Sequence, residues 1–215
     1  MPLKTLENER KRIAAEMHDE LGAGLSKITH LTQVMVRETG DAAVNREIAL
    51  KIQNTCNHLQ SGINEIIWSL DPQHDYLHSL LAFLRYSSAE FLENSTVRLD
   101  FNFPSTPPTL FVPGTFRRNI QLIVKEALNN ILKHSGATNA TISASISKSH
   151  IQIKIEDNGC GITNQHRPVL KNGLRNMEER ALSMAANFSI TSTAGMGTVL
   201  NLEIPICQGG IEPIY

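Results

Sequence analysis

The sequence predicts an α+β chain: an N-terminal hairpin of two long helices that pairs into a dimeric four-helix bundle, then a region in which helices and strands mix. Three observations carry this expectation. Apolar residues recur at steps of three and four through Ile13, Met17, Leu21, Leu25, Ile28, Leu31 and Met35, and again near a 3.5-residue repeat from Ile48 through Ile52, Leu59, Ile63 and Ile66 to Leu70. Both runs stop at helix-breaking residues, Gly40 with Asp41 and then Pro72. Beyond Pro72 the apolar period shortens to two in TISASIS, HIQIKIED and TVLNLEIP.

The first helix spans about Leu6 to Thr39, and Glu7 stands four residues before Lys11 as a favourably oriented surface pair. Helices of roughly thirty residues are about 45 Å long, and a lone hairpin of that length leaves part of both stripes open. A homodimeric bundle covers them; packing on the rest of the same chain is the alternative. Trp68, the only tryptophan, is expected at the bundle end. DPQHD then reads as a loop, dividing a dimerising domain at 1–71 from a second domain at 76–215.

In the second domain, Tyr76 to Asn94 reads as a helix with Leu80, Leu81, Leu84 and Phe91 inward, and VRLDFNF alternates like a strand. Pro104, Pro107 and Pro108 mark a turn-rich linker before the helix PGTFRRNIQLIVKEALNNILKHS, which has proline near its start. Two strands follow, joined by a polar turn around Lys148 and Ser149. A glycine-rich stretch, a short helix from about Leu174 to Asn187 and the strand pair FSITST and TVLNLEIP complete the chain, which has no internal repeat.

Composition narrows the function. With 215 residues, 41% hydrophobic and 19% charged, the chain has ample material for a buried core. Twenty lysines and arginines nearly balance twenty-one aspartates and glutamates, and no basic stretch gathers, so direct nucleic-acid binding is not expected. Cys56, Cys160 and Cys207 are odd in number and lack CxxC spacing, which points away from a zinc site or disulfide framework and toward a reducing, cytoplasmic setting. The longest apolar runs, SLLAFL and NIQLIV, fall short of the ~20 residues that cross a bilayer, so this segment is expected to make no membrane contact.

Several constellations carry chemistry, each with a plainer alternative. Glu126, Asn130 and then Lys133 or His134 share one helix face, where an amide oxygen suits a divalent ion and a carboxylate can take a proton; a solvated face with basic residues near the helix C-terminus explains the same residues. IQIKIE runs into DNGCGI, where Asp157 can accept a hydrogen bond from an adenine amino group beside Gly159 and Gly161; a simple turn is the alternative. GMGT, with Gly195, Gly197 and Thr198, has the same ambiguity. Gly173 is expected just before a helix start, whose free amides favour an anion, among His166, Arg167, Lys171 and Arg175; a polar loop is the alternative. His18 has a nitrogen lone pair available near pH 7, and a carboxylate on its other nitrogen would fix the tautomer.

In this order, ExxxN on a helix, DxGxG after a strand, a glycine-preceded helix and GxGT before a last strand resemble the ATP-binding module shared by gyrase, a heat-shock chaperone, histidine kinases and mismatch-repair MutL. Upstream, ERKRIAAEMHDELG resembles the phosphoacceptor segment of two-component sensor histidine kinases of the nitrate-sensor-like subgroup, and IIWSLDP resembles that subgroup's second-helix ending. The resemblance implies a two-layer α/β sandwich as the ATP-binding domain. It also implies that His18 is phosphorylated with Asp19 as its carboxylate partner, Glu126 assists catalysis, Asn130 binds Mg2+ and Asp157 reads adenine. Gly159, Gly161, Gly173, Leu174, Gly195, Gly197 and Thr198 line the ATP pocket, with Lys133 and His134 as phosphate contacts. The implied partners are a second copy of the chain and a response-regulator receiver domain.

One departure stands out. Relatives continue HDxxGQ with a glutamine that positions water for dephosphorylating the regulator, and here Ala23 stands in its place, with Ser26 and Thr29 as nearby hydroxyls. Two rival readings remain: an ATPase that clamps a dimer without phosphohistidine, and an inactive dimerising scaffold. The chain is also expected to be cytoplasmic, either by itself or as the cytoplasmic part of a membrane-anchored sensor.

Overall fold

The computed structural model describes residues 21–37, 42–162, 167–206 and 211, without the side chains of His58 and of residues 167–171. The chain divides into two compact units, Met1–Leu70 and Asp71–Tyr215.

In the first unit, residues 21–37 form helix α1 and Ala42–Leu70 form α2. A Cβ at Gly24 would collide with the side chain of Leu59, so α1 and α2 meet closely there. Ile48, Thr55 and Ile66 on the α2 stripe are buried, and the Thr55 hydroxyl donates to Lys51 O at 2.8 Å, which satisfies the polar group inside its own helix. Burial along the stripes is incomplete. Leu25 on α1 is 57% exposed and Leu70 on α2 is 51% exposed. The expected hairpin turn at Gly40 and Asp41 lies outside the described residues.

The second unit is a two-layer sandwich. A five-stranded sheet has the order β1-β2-β3-β5-β4, with β1 (Arg98–Asn102), β2 (Asn139–Ile146), β3 (His150–Asp157), β4 (Asn187–Thr193) and β5 (Gly197–Pro205). Only the β1–β2 pairing is parallel, because a helix-bearing crossover joins those strands; the others are antiparallel neighbours. Helices α3 (Leu77–Leu92), α4 (Gly114–Asn130) and α5 (Arg167–Leu182) pack side by side on one face. Period-two alternation sends Ile142, Ile151, Ile153, Ile155, Leu202 and Ile204 under those helices, all buried. The other face is polar and cross-linked: Gln152 Nε2 donates to Asn201 Oδ1 at 2.8 Å, and Ser145 Oγ donates to Gln152 Oε1 at 3.1 Å. One apolar face and one hydrated face make a sheet that needs helices on only one side.

Three places differ from the local reading. DPQHD is not a free loop: Asp71 caps a 3-10 turn at Pro72–His74 by accepting from Gln73 N at 2.9 Å, and these residues belong to the second unit. α4 is extended by a π-helical turn, Ile131–Ser135, closed by left-handed Gly136. There Ser135 Oγ donates to Ile131 O at 2.8 Å and accepts from Ala137 N at 2.9 Å, replacing backbone bonds that the wider turn gives up. α5 starts at Arg167 with Pro168 in its first turn, so Gly173 is interior to the helix and not before it. The helix ends at Leu182, five residues before the expected Asn187, and the chain turns through Ala185 at φ 48°.

Candidate functional site

The site is built where the ends of β3, α4 and the β4–β5 turn converge. Asp157 is the last residue of β3 and pairs in register with Thr198 of β5. Its Oδ1 accepts from Gly159 N at 2.8 Å, and it also accepts from the Thr198 backbone and hydroxyl. Burial pushes the Asp157 carboxyl above its ordinary value, and these three hydrogen bonds to the ionised form pull against that rise.

Main-chain bonds stitch the loop after Asp157 to its surroundings. Cys160 N donates to Ser135 O at 2.8 Å, Gly195 N donates to Cys160 O at 2.8 Å, and Ile162 N donates to Ser192 Oγ at 2.7 Å. DNGCG, the π turn and GMGT thus form one hydrogen-bonded frame. Gly197 has φ 88°, and a Cβ there would run into Asp157 O; Gly161 has φ 72°, and its Cβ would stand 2.5 Å from Thr193 O. Only glycine allows both the backbone conformation and the approach.

An open cleft enclosing roughly 540 Å³, including solvent at its mouth, lies over this frame. Among the expected residues Asn130, His134, Asp157, Gly161, Leu174 and Thr198 line it. Glu126, Lys133, Gly159, Gly173, Gly195 and Gly197 do not. Gly159, Gly195 and Gly197 belong to the frame itself, while Lys133 is exposed on the π turn. Glu126 is half-buried, and a Cβ at Gly173 would collide with its Oε1. This explains a glycine inside α5: it costs about 1 kcal/mol of helix propensity and lets α5 cross directly over the carboxylate.

His18 and Asp19 lie outside the described residues, as does His166; the side chains of Arg167 and Lys171 are likewise not described. Arg175 is exposed and reaches Glu179, with Nε 3.4 Å from Oε1.

Sequence reasoning missed the cleft's apolar walls, formed by Ile131, Ile155, Met177, Ile190 and Leu200. One of these was available: Ile155 is two residues before Asp157 on a strand and must share its face. It also missed the buried polar side of α4. Arg117, Arg118, Asn119 and Gln121 are all buried; Asn119 Nδ2 donates to Ser183 Oγ at 3.0 Å, and Asn119 Oδ1 accepts from Arg180 Nη1 at 3.3 Å.

A cleft with apolar walls and a half-buried carboxylate suits a purine ring, whose faces favour apolar walls and whose amino group needs an acceptor. Asn130 at the cleft and Glu126 one turn earlier supply oxygens of the kind Mg2+ takes, and that ion uses few protein ligands when substrate phosphates complete its shell.

Comparison with known proteins agrees. The family described as Histidine kinase-, DNA gyrase B-, and HSP90-like ATPase matches residues 116–208, and the family described as Histidine kinase matches residues 9–75. Sensor protein VraS of Staphylococcus haemolyticus (strain JCSC1435) is 25% identical over 207 residues, 94% of this chain and 57% of its own length. Sensor histidine kinase LiaS of Bacillus subtilis (strain 168) is 25% identical over 209 residues, 96% of this chain and 56% of its own length. The chain spans a little over half the length of these relatives.

For the fold, the histidine kinase domain of the Erythrobacter litoralis EL346 blue-light activated histidine kinase superposes with a TM-score of 0.54 at 18% identity, covering 86% of this chain and 94% of that one. Acinetobacter baumannii histidine kinase AdeS gives 0.55 at 15% identity, covering 87% and 97%. Among the described residues no helix is long and apolar enough to cross a membrane. With a histidine kinase family segment at residues 9–75 ahead of a histidine kinase-, DNA gyrase B- and HSP90-like ATPase segment at residues 116–208, the chain belongs to the histidine kinases.

Proposed function

We propose that this chain is the catalytic core of a sensor histidine kinase: it transfers the γ-phosphoryl group of ATP to His18 and then to an aspartate on a response-regulator receiver domain. The observation that carries the reading is the pairing of a phosphoacceptor segment holding His18 with an adenine-compatible cleft in one polypeptide. Asp157 accepts from the adenine amino group while Ile155 and Leu200 cover the ring. Asn130 would hold Mg2+, with His134 near the phosphates, and that ion would supply charge neutralisation on the triphosphate. A His18 nitrogen attacks the γ-phosphorus in line as the bond to the β–γ bridging oxygen breaks and ADP leaves. Asp19 holds the remaining N–H of the imidazole, fixing its tautomer and stabilising the positive charge that develops as the N–P bond forms, and Glu126 assists the transfer as a nearby proton acceptor for the phosphorylated imidazolium once the bond is made.

The exposed stripe residues Leu25 and Leu70 support a homodimer. ATP supply and a receiver-domain partner put this segment in the cytoplasm, whatever precedes it in the parent protein. Ala23 is exposed and lacks the amide that relatives use on water, and the Thr29 hydroxyl donates to Leu25 O at 2.9 Å, which leaves Ser26 as the nearby hydroxyl and disfavours regulator phosphatase activity.

The test is incubation with Mg2+ and γ-labelled ATP. Label that is lost in acid, survives base and disappears in His18→Ala without loss of nucleotide affinity is the expected result. Sustained phosphate release with no acid-labile label would replace this reading with an ATP-driven clamp.

A further inference from the structure

Arg117 is the most deeply buried charge described in the second unit. Its side chain is 1% exposed, yet it stands near the start of α4, nine residues before Glu126. Its Nη2 donates to Asp71 O at 3.1 Å and to Asp75 Oδ1, so one guanidinium holds both ends of DPQHD. Burial pushes its pKa down, and Asp75 beside it works in the opposite direction.

Further bonds fix the same stretch. Val112 N donates to Asp75 O at 2.9 Å, Leu77 N donates to Leu110 O at 2.9 Å, and Tyr76 bridges Phe111 in antiparallel fashion. The first residue after α2 is thus already locked to the helix that carries Glu126 and Asn130.

We infer that Arg117 is a positioning residue for phosphoryl transfer: it holds the junction after α2 against α4 and so fixes where the phosphoacceptor hairpin leaves the ATP-binding unit. The inference rests on the proposed function above. Arg117 is roughly 13 Å along the helix axis from Glu126, and neither it nor Asp71 or Asp75 lines the cleft. Its effect is therefore on where His18 is delivered, not on how ATP is held. Released, Asp71 to Asp75 would become a tether reaching up to about 17 Å, against the ~3–3.5 Å approach that in-line attack requires. Lysine is a poor substitute, because its shorter side chain ends in a more strongly hydrated ammonium that costs more to bury than a guanidinium.

The experiment compares Arg117→Lys and the double variant Arg117→Met with Asp75→Leu, which removes both charges and leaves no buried ion alone. ATP-analogue affinity, KM and kcat of autophosphorylation, and hydrogen exchange at the Leu77 and Val112 amides are measured. The expected result is affinity and KM within about twofold of the parent, kcat lower by roughly 10- to 100-fold, and faster exchange at both amides. An unchanged kcat in both variants overturns the positioning role alone; so does a kcat that falls only in step with ATP affinity. A parent chain that never forms phosphohistidine overturns the proposed function, and the positioning role with it.

Discussion

The two units of this chain solve burial differently. In the second, Leu77, Leu80, Leu84, Ile120, Ile142, Ile151 and Leu202 are fully enclosed, and the inward-facing Asn119 is bonded to Ser183 and Arg180. In the first, the same kind of apolar periodicity leaves Leu25 and Leu70 more than half exposed. A sheet with three helices closes a core within one chain, whereas two parallel stripes on long helices need another surface. The ATP-binding unit can therefore be whole alone, while under the proposed function the helical unit is completed by a second copy.

The strongest challenge to that contrast is Leu25→Glu. It puts a charge on a position already open in the single chain, so it should spare the fold and block pairing. Losing two buried leucines per dimer, at about 1.5–3 kcal/mol each, weakens association by roughly 10²-fold or more. We expect a monomer by sedimentation, loss of His18 labelling and unaltered nucleotide affinity. A variant that stays dimeric would remove the stripe from the interface.

A smaller effect should be confined to the second unit. Asp157→Asn replaces a charged acceptor worth about 1.5–3 kcal/mol, so ATP binding should weaken by roughly 10- to 100-fold while the dimer stays intact. The pH dependence follows from the raised pKa of Asp157. Without nucleotide, the stability contributed by this group is fully present below the ordinary carboxylate value of about 3.9 and is lost as pH rises through the higher folded value. Nucleotide needs the ionised form, so affinity should fall on acidification in a window that opens above pH ~3.9. Titration calorimetry of the parent and of Asp157→Asn checks both, since the variant should lose that pH step.

The smallest effect is at Ala185, held at φ 48° where α5 turns into β4. Glycine relieves about 1–2 kcal/mol of left-handed strain and costs about 0.4–1 kcal/mol through the freer unfolded chain. Ala185→Gly should thus stabilise the ATP-binding unit by about 0.5 kcal/mol in thermal unfolding. An equal gain in the helical unit would contradict the independence of the two cores.

Much of the fold was legible because its signals are local. The stripe from Ile48 to Leu70 shows its period within one helix, and Ile151, Ile153 and Ile155 show theirs within one strand. Asp157 and Thr198 stand out because DxGxG and GxGT are turns that glycine makes possible wherever they fall. What was misread lies where a distant residue decides. Gly173 reads as a helix start until Glu126 is seen beneath it.

The sequence by itself therefore determined most of the elements, their order and the carboxylate, Asp157, that lines the cleft, since periodicity and turn chemistry act over a few residues. Tertiary structure alone decided that Arg117 would reach Asp75 and Asp71, 42 and 46 residues away, so that DPQHD belongs to the ATP-binding unit. It also decided that Ile131, Met177 and Leu200 would wall one cleft. Such contacts depend on how helices and sheet close on one another, and no short window of sequence contains both sides of that closure.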